Sequence, residues 1–223
     1  MIKLTINGKK IESRAGLTLL DVFRQNGIRV PTLCHHEAVS PYAACRLCLV
    51  EVTAGPRKML TASCMYPAAD GIIVETESKR ALTARRLVAE LLLARCPDIP
   101  EVQRIAVELG VNETRFPQRN ETCVLCGLCV RGCREIAGVG VLDFANRGAF
   151  AEVVTPFDLP SEMCVGCTTC VYLCPTDTIQ LSEIRRLEAP HAFNGNGKEI
   201  KCILCGQYQI DHQFQRVADT LIR

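Results

Sequence analysis

Two runs of cysteine carry the strongest chemical signal in the chain. The first is Cys123-x2-Cys126-x2-Cys129-x3-Cys133, and the second is Cys164-x2-Cys167-x2-Cys170-x3-Cys174-Pro175. Three cysteines at i, i+3 and i+6 wrap a tight loop around one cubane and bind three of its four irons. The fourth enters a helix and points away, toward a second cluster. The spacing therefore predicts one [4Fe–4S] cluster on Cys123, Cys126, Cys129 and Cys174, and another on Cys164, Cys167, Cys170 and Cys133. The first run has Arg134 where the second has Pro175. Gly127, Gly132 and Gly166 are expected to let the backbone approach the clusters, so that N–H groups reach sulfur. Zinc competes poorly, because four such closely spaced thiolates crowd one tetrahedral ion, and zinc sites usually separate their two pairs.

A third set is Cys34-x10-Cys45-x2-Cys48-x15-Cys64. A [2Fe–2S] cluster takes four thiolates, in plant-type sites at C-x4-C-x2-C…C, so the first gap is enlarged here. The spacing alone also fits a four-cysteine zinc site. His35 and His36 sit beside Cys34 and could replace a thiolate, as in Rieske centres. With four cysteines present, hydrogen bonding near the cluster is the simpler role. Arg46, between two cysteines, either offsets cluster charge or is a solvated loop residue. The Lys79-Arg80 and Arg85-Arg86 pairs read as the exposed face of a helix.

Three cysteines remain: Cys96, Cys202 and Cys205. The tail could form a zinc knuckle from His191, Cys202, Cys205 and His212. It could instead fold back, so that Cys202 and Cys205 join Cys96 and a histidine around a metal or a fourth cluster. The plainer reading is a solvent-facing pair and a buried structural Cys96.

Composition excludes several classes. Fifteen cysteines in 223 residues cannot all close into intramolecular disulfides, because the number is odd. The opening Met1-Ile2-Lys3-Leu4-Thr5-Ile6 alternates like a strand and does not read as a secretory signal. This many thiols in a reducing cytoplasm, the expected location, points to metal. The strongest apolar run, Leu87 to Ala94, contains Glu90 and is too short to span a bilayer. A formal net charge of +2 gives no basic field for nucleic acid. With 5% aromatics and no Trp, stacking platforms for single strands are scarce as well.

The elements that position these groups suggest an α+β chain of small modules. Residues 1–77 read as a β-grasp [2Fe–2S] domain. It has short strands at Lys3–Ile6 and Lys10–Glu12 joined by Asn7-Gly8, and a helix capped by Thr18 and stopped at Gly27. A cysteine-bearing loop follows, with strands at Leu47–Thr53 and Ile72–Thr76. Residues 78–119 read as a helical spacer: a long helix capped by Ser78, then one over Glu101–Leu109 ending at Gly110. Residues 120–185 form the two-cluster ferredoxin domain. Residues 186–223 form a CxxC tail with a turn at Asn194–Gly197 and a terminal helix from Asp211 to Ile222.

In combination these features resemble a known family. The chain is similar to the iron–sulfur subunit of the diaphorase module in NAD-reducing hydrogenases. It is equally similar to the N-terminal part of the complex I large iron–sulfur subunit and of [FeFe]-hydrogenases. The resemblance rests on Cys34, Cys45, Cys48 and Cys64 in β-grasp surroundings and on the stretch Cys123 to Cys133. It also rests on Phe144-Ala-Asn-Arg-Gly148, Val153-Val-Thr-Pro156 and the run Cys164 to Pro175. It implies an electron-relay subunit, without catalytic residues of its own, between a flavin/NAD(P)H-oxidising subunit and a terminal redox subunit such as a hydrogenase or formate dehydrogenase. A hetero-oligomer is implied; a free multi-cluster carrier is the alternative. Relatives usually carry another site, of one histidine and three cysteines, after a helix ending in a Leu-Leu-Leu-Ala-like run. Here Leu91-Leu-Leu-Ala94 is followed by Arg95-Cys96-Pro97, and no further cysteine appears before Cys123. That cluster cannot be built in its family form. No G-x-G-x-x-G follows a strand and no phosphate loop is present, so flavin, NAD and ATP are expected on a partner.

Overall fold

The computed structural model describes residues 1–155, 157 and 164–180. The tail reading at 186–223, with His191, Cys202, Cys205, His212 and the expected terminal helix, lies outside the described residues. The chain divides into two compact units. Unit 1 comprises Met1–His35 and Pro41–Cys126; unit 2 comprises His36–Ser40 and the described residues from Gly127 onward. The helical pair expected as a spacer belongs to unit 1.

Unit 1 is built on a mixed five-stranded sheet in the order β2-β1-β5-β3-β4. β1 (Ile2–Ile6) and β2 (Lys9–Ser13) form a hairpin around Asn7 and Gly8. Both turn residues have positive φ, 49° and 78°, as a two-residue turn matched to strand twist requires. β5 (Ile73–Glu75), the last strand in sequence, inserts between β1, to which it is parallel, and β3 (Leu49–Ala54), to which it is antiparallel. β4 (Arg57–Ala62) closes the far edge against β3. This strand was not foreseen. It is reached by a two-residue turn at Gly55-Pro56, with Gly55 at φ 57°. β3 starts at Leu49, so the cysteine-bearing loop runs two residues further than the sequence suggests.

The sheet buries its face on α1 (Leu19–Gln25). Leu4 and Ile6 of β1, Val50 and Val52 of β3, and Val74 of β5 meet Leu19, Leu20, Val22 and Phe23 in one core. α1 starts at a reciprocal cap. The Asp21 N–H donates to Thr18 Oγ1 at 3.2 Å, and the Thr18 N–H donates to the Asp21 carboxylate at 2.9 Å. Burial raises the Asp21 carboxyl, but the Thr18 donors outweigh it and hold the group below its ordinary value.

α2 (Lys79–Arg95) is capped by Ser78, whose Oγ accepts the Ala81 N–H at 3.1 Å. α3 (Pro100–Glu108) begins with proline in its first turn and ends before Gly110, which has φ 73°. A second core forms between α2, α3 and the cysteine loop, with Leu33, Leu47, Ala89, Leu93, Val102 and Ile105 at its centre. Arg86 ties α2 to α3 by donating Nε to Leu109 O at 3.0 Å. The exposed-face reading holds for Arg80, which pairs with Glu51, but fails for Arg85. Arg85 is 3% exposed and donates Nε to Leu49 O at 2.8 Å, because its position on α2 turns toward the start of β3.

Unit 2 is assembled from short pieces. α4 (Leu128–Arg131) runs into a π-helical turn, Gly132–Ile136, and α5 (Thr169–Leu173) packs against both. β6 (Asp143–Ala145) and β7 (Glu152–Val154) form an antiparallel pair. The loop 36–40 is held here: the Glu135 carboxylate accepts both the N–H and the hydroxyl of Ser40 at 2.6 Å, and the buried Arg131 donates to Ser40 O. Among the described residues no helix is long and apolar enough to cross a membrane.

Candidate functional site

Unit 1 brings Cys34, Cys45, Cys48 and Cys64 together. Three lie in the loop between α1 and β3, and Cys64 lies two residues past the end of β4. The loop turns through Ala43 and Arg46, at φ 57° and 56°. Three backbone hydrogen bonds hold the Cys64 turn. The Ser63 N–H donates to Cys48 O at 3.0 Å. The first N–H groups of α1, from Leu19 and Leu20, donate to Tyr66 O and Ser63 O at 2.9 and 3.1 Å. The free N–H groups at a helix start thus fix the turn that presents the fourth cysteine.

Cys34, Cys48 and Cys64 are each 1% exposed. Backbone donors already address sulfur: Cys45 N–H to Cys34 Sγ at 3.4 Å and Leu33 N–H to Cys45 Sγ at 3.5 Å. The thiols form two hydrogen-bonded pairs. The bond from Cys34 pulls the Cys45 thiol down to about 6, and the bond from Cys64 pulls Cys48 down to about 7. Their partners Cys34 and Cys64 are pushed up by those same bonds and by burial. Each pair thus gives up one proton readily and holds the other. Four neighbouring sulfurs, three of them on fully buried cysteines and one on the half-buried Cys45, with thiolate character and N–H donors, fit an iron–sulfur cluster. Two pairs also match two irons. Among the described residues no three His, Cys, Asp or Glu side chains are arranged around a single metal ion.

The neighbouring candidates separate clearly. His36 Nδ1 accepts the Ala38 N–H at 3.2 Å, so this nitrogen serves the loop. His35 acts electrostatically on Asp21. Arg46 is exposed, as a solvated loop residue would be. Arg85, which sequence reading placed on the surface, is buried within electrostatic reach of Cys48. Burial lowers its guanidinium and the Cys48 charge raises it, with burial prevailing. A helical arginine beside another arginine carries no local sign of burial. The signal is the distant Leu49 carbonyl.

In unit 2, Cys133 stands on the π-helical turn and Cys170 on α5. Burial raises the Cys170 thiol, and the charges of Cys167, Cys129, Cys164 and Cys133 raise it further. Burial likewise raises Cys167, with Cys133 and Cys164 adding to the effect. Cys133 of the first run therefore lies within electrostatic reach of Cys167 and Cys170 of the second, as Cys129 does of Cys170. Cys167 Sγ donates to Thr169 Oγ1, and Cys174 Sγ lies against Thr176 Oγ1, both at 3.4 Å.

Cys123 and Cys126 fall in unit 1, where Leu125 N–H donates to Cys123 Sγ at 3.4 Å and Arg95 Nε to Cys123 O at 2.7 Å. Two backbone features recur in both runs. Leu125 and Gly166, two residues after the first cysteine, have φ 54° and 63°. Gly127 and Thr168, four residues after it, have φ 70° and 61°. These left-handed positions bend the chain so that successive N–H groups turn inward.

Gly132 has a packing role. It is helical, at φ −59° and ψ −42°, and a Cβ there would come within 2.5 Å of Leu173 Cδ1 and 3.1 Å of Thr169 Cγ2. Its missing side chain makes room for Leu173 and Thr169 where the helices pack. Cys96 is 0% exposed, caps α2, and sits in the second core of unit 1; burial pushes its thiol up to about 11.

Comparison with known proteins adds identity to this geometry. Residues 1–79 match a 2Fe-2S iron-sulfur cluster binding domain and residues 122–178 a 4Fe-4S dicluster domain. The NADP-reducing hydrogenase subunit HndD of Solidesulfovibrio fructosivorans is 33% identical over 80% of this chain and 36% of its own length. The NADPH-Fe(3+) oxidoreductase subunit alpha of Geobacter sulfurreducens is 32% identical over 86% of this chain and 26% of its own. An NADH-quinone oxidoreductase subunit of Rhizobium meliloti is 32% identical over 80% of this chain and 24% of its own. The chain thus spans between 24% and 36% of the length of these curated relatives. A crystal structure of NAD+-reducing [NiFe]-hydrogenase in the H2-reduced state superposes with a TM-score of 0.59 at 27% identity, covering 69% of this chain and 74% of that one. The chain is a 2Fe-2S cluster-binding domain followed by a 4Fe-4S dicluster domain, and it belongs with the N-terminal iron–sulfur module of NAD(P)-linked hydrogenases and NADH-quinone oxidoreductases.

Proposed function

We propose that the chain is an electron-relay subunit of a cytoplasmic hetero-oligomeric oxidoreductase, passing single electrons between a flavoprotein that oxidises NAD(P)H and a terminal redox subunit such as a hydrogenase or formate dehydrogenase. Cys34 with Cys45, and Cys48 with Cys64, would each take one iron of a [2Fe–2S] cluster. Cys133 with Cys164, Cys167 and Cys170 would hold one [4Fe–4S] cluster, and the spacing gives Cys123, Cys126, Cys129 and Cys174 the other. Bound clusters supply one-electron chemistry, and the protein sets each potential by hydrogen bonds to sulfur, burial and local charge. The observation that carries this reading is coverage. Relatives named as subunits of NADP-reducing hydrogenase and of NADPH-Fe(3+) and NADH-quinone oxidoreductases match 80% to 86% of the chain, across both cluster domains.

Anaerobic iron, sulfide and zinc analysis, combined with affinity capture of the chain from its own cells, tests it. One [2Fe–2S] and two [4Fe–4S] clusters give about ten irons per chain, and a flavoprotein should be captured with it. About fourteen irons would place a fourth cluster at Cys96, Cys202 and Cys205 with His191 or His212; about ten irons with one zinc would support the knuckle. Fewer than about eight irons would overturn the cluster assignment. A chain that never recruits a flavoprotein would favour the free carrier.

A further inference from the structure

Arg85 is a buried cation of unit 1, and among the described residues it is one of a few buried side chains that keep an unpartnered polar atom. Its Nε is spent on Leu49 O at 2.8 Å. Its Nη2 is buried and has no hydrogen-bond partner among the described residues. Residue exposure is 3%. A buried guanidinium nitrogen that donates to nothing is costly, and native structures rarely keep one without an acceptor. The two charged groups within electrostatic reach are Cys48 and Glu77, and Glu77 is exposed. Leu49, whose carbonyl anchors the guanidinium, is the residue after Cys48. The guanidinium is thus anchored on the residue next to Cys48 and within electrostatic reach of it, where thiolates and sulfide of a bound cluster would supply the missing acceptor.

We propose that Arg85 is a fixed positive charge for the [2Fe–2S] couple, donating from Nη2 to sulfur on the Cys48 side and raising its reduction potential. This rests on Cys34, Cys45, Cys48 and Cys64 holding that cluster. The couple takes up one electron and becomes more negative by one charge. Arginine stays protonated throughout, so no proton moves with the electron. A cation in a buried site favours the more negative, reduced state, and it does so more strongly than it would in water. Arg85 is a positioning and tuning residue; the electron does not pass through it.

The test is an EPR-monitored redox titration of the full chain with its clusters, comparing Arg85→Met and Arg85→Lys with the unaltered protein. Arg85→Met should disfavour reduction about tenfold, a midpoint lower by about 59 mV for a one-electron couple, with iron content unchanged. Arg85→Lys should recover at least half of that shift, because the charge returns. An unshifted midpoint in Arg85→Met, or equal midpoints in the two variants, overturns the proposal. If Arg85→Met fails to hold the cluster, protein carrying 15N in its arginine guanidinium groups decides. A 15N coupling on the reduced [2Fe–2S] signal that Arg85→Lys removes supports the proposal, and its absence overturns it. Absence of any [2Fe–2S] signal in the unaltered chain refutes the underlying cluster assignment instead.

Discussion

The two cysteine runs have the same spacing and the same pair of left-handed residues, yet they distribute their small residues differently. In the first run glycine occupies the later left-handed position, Gly127, and leucine the earlier, Leu125; in the second, glycine is earlier, Gly166, and threonine later, Thr168. The residue before the fourth cysteine is Gly132 in the first run and Leu173 in the second, and these two face each other across α4, its π-helical extension and α5. The backbone path is therefore the property the runs share, whereas side-chain volume is divided between them. An internal repeat can keep its ligand geometry while its two copies specialise into a knob and a hole.

The largest expected effect tests the exchange of fourth ligands between the runs. Cys133→Ser should cost about four irons and abolish the same EPR signal as Cys167→Ser, although the two cysteines belong to different runs. Cys174→Ser should abolish the signal lost in Cys126→Ser. If Cys133→Ser instead removes the Cys126 signal, each run feeds its own cluster and the crossing is wrong. The Cys133 charge reaches both Cys167 and Cys170, as the crossed arrangement requires, and the Cys129 charge reaches Cys170 too.

Next in size is the packing between the runs. Leu173 is 4% exposed, so Leu173→Ala should destabilise by about 2–5 kcal/mol. Gly132→Ala, whose Cβ has to displace Leu173 Cδ1, should cost about 1–3 kcal/mol. The double variant should cost less than the two together, because the shorter residue 173 makes room for the new methyl. Anaerobic urea unfolding of the cluster-loaded protein measures this. Strict additivity would show that Gly132 and Leu173 do not share one packing site.

How much of this was legible in the sequence follows from how local each determinant is. The Asn7-Gly8 turn, the Thr18 and Ser78 caps, the stop at Gly110 and the cysteine spacings are decided within a few residues, and each has a chemical signature. β4 was missed because it begins Arg57-Lys58, polar residues on an edge strand, although Gly55-Pro56 was a readable turn. Arg85 was misplaced because an arginine on a long helix is ordinarily solvated; here its partners, Leu49 and Cys48, lie some 36 residues away. Gly132 has a packing role that its sequence neighbours do not display. A glycine beside a cysteine suggests backbone freedom; its helical φ and its neighbour Leu173 show that the missing side chain matters too.

The smallest effect probes the left-handed positions themselves. Threonine is β-branched and poorly suited to positive φ, whereas glycine pays no steric penalty there. Thr168→Gly should relieve strain of about 1–2 kcal/mol, offset by the greater freedom of glycine in the unfolded chain, leaving a net gain of less than about 1 kcal/mol. Gly127→Thr, the reciprocal change, should lose about 1–2 kcal/mol, because it places a branched residue at φ 70°. The denaturant midpoint for cluster bleaching reads both. Opposite signs would show that the runs share one backbone path and differ only in how well each residue tolerates it. A loss of stability in Thr168→Gly would mean that the threonine side chain contributes something the second run needs and the first does not, and the symmetry between the two turns would then be one of angle alone.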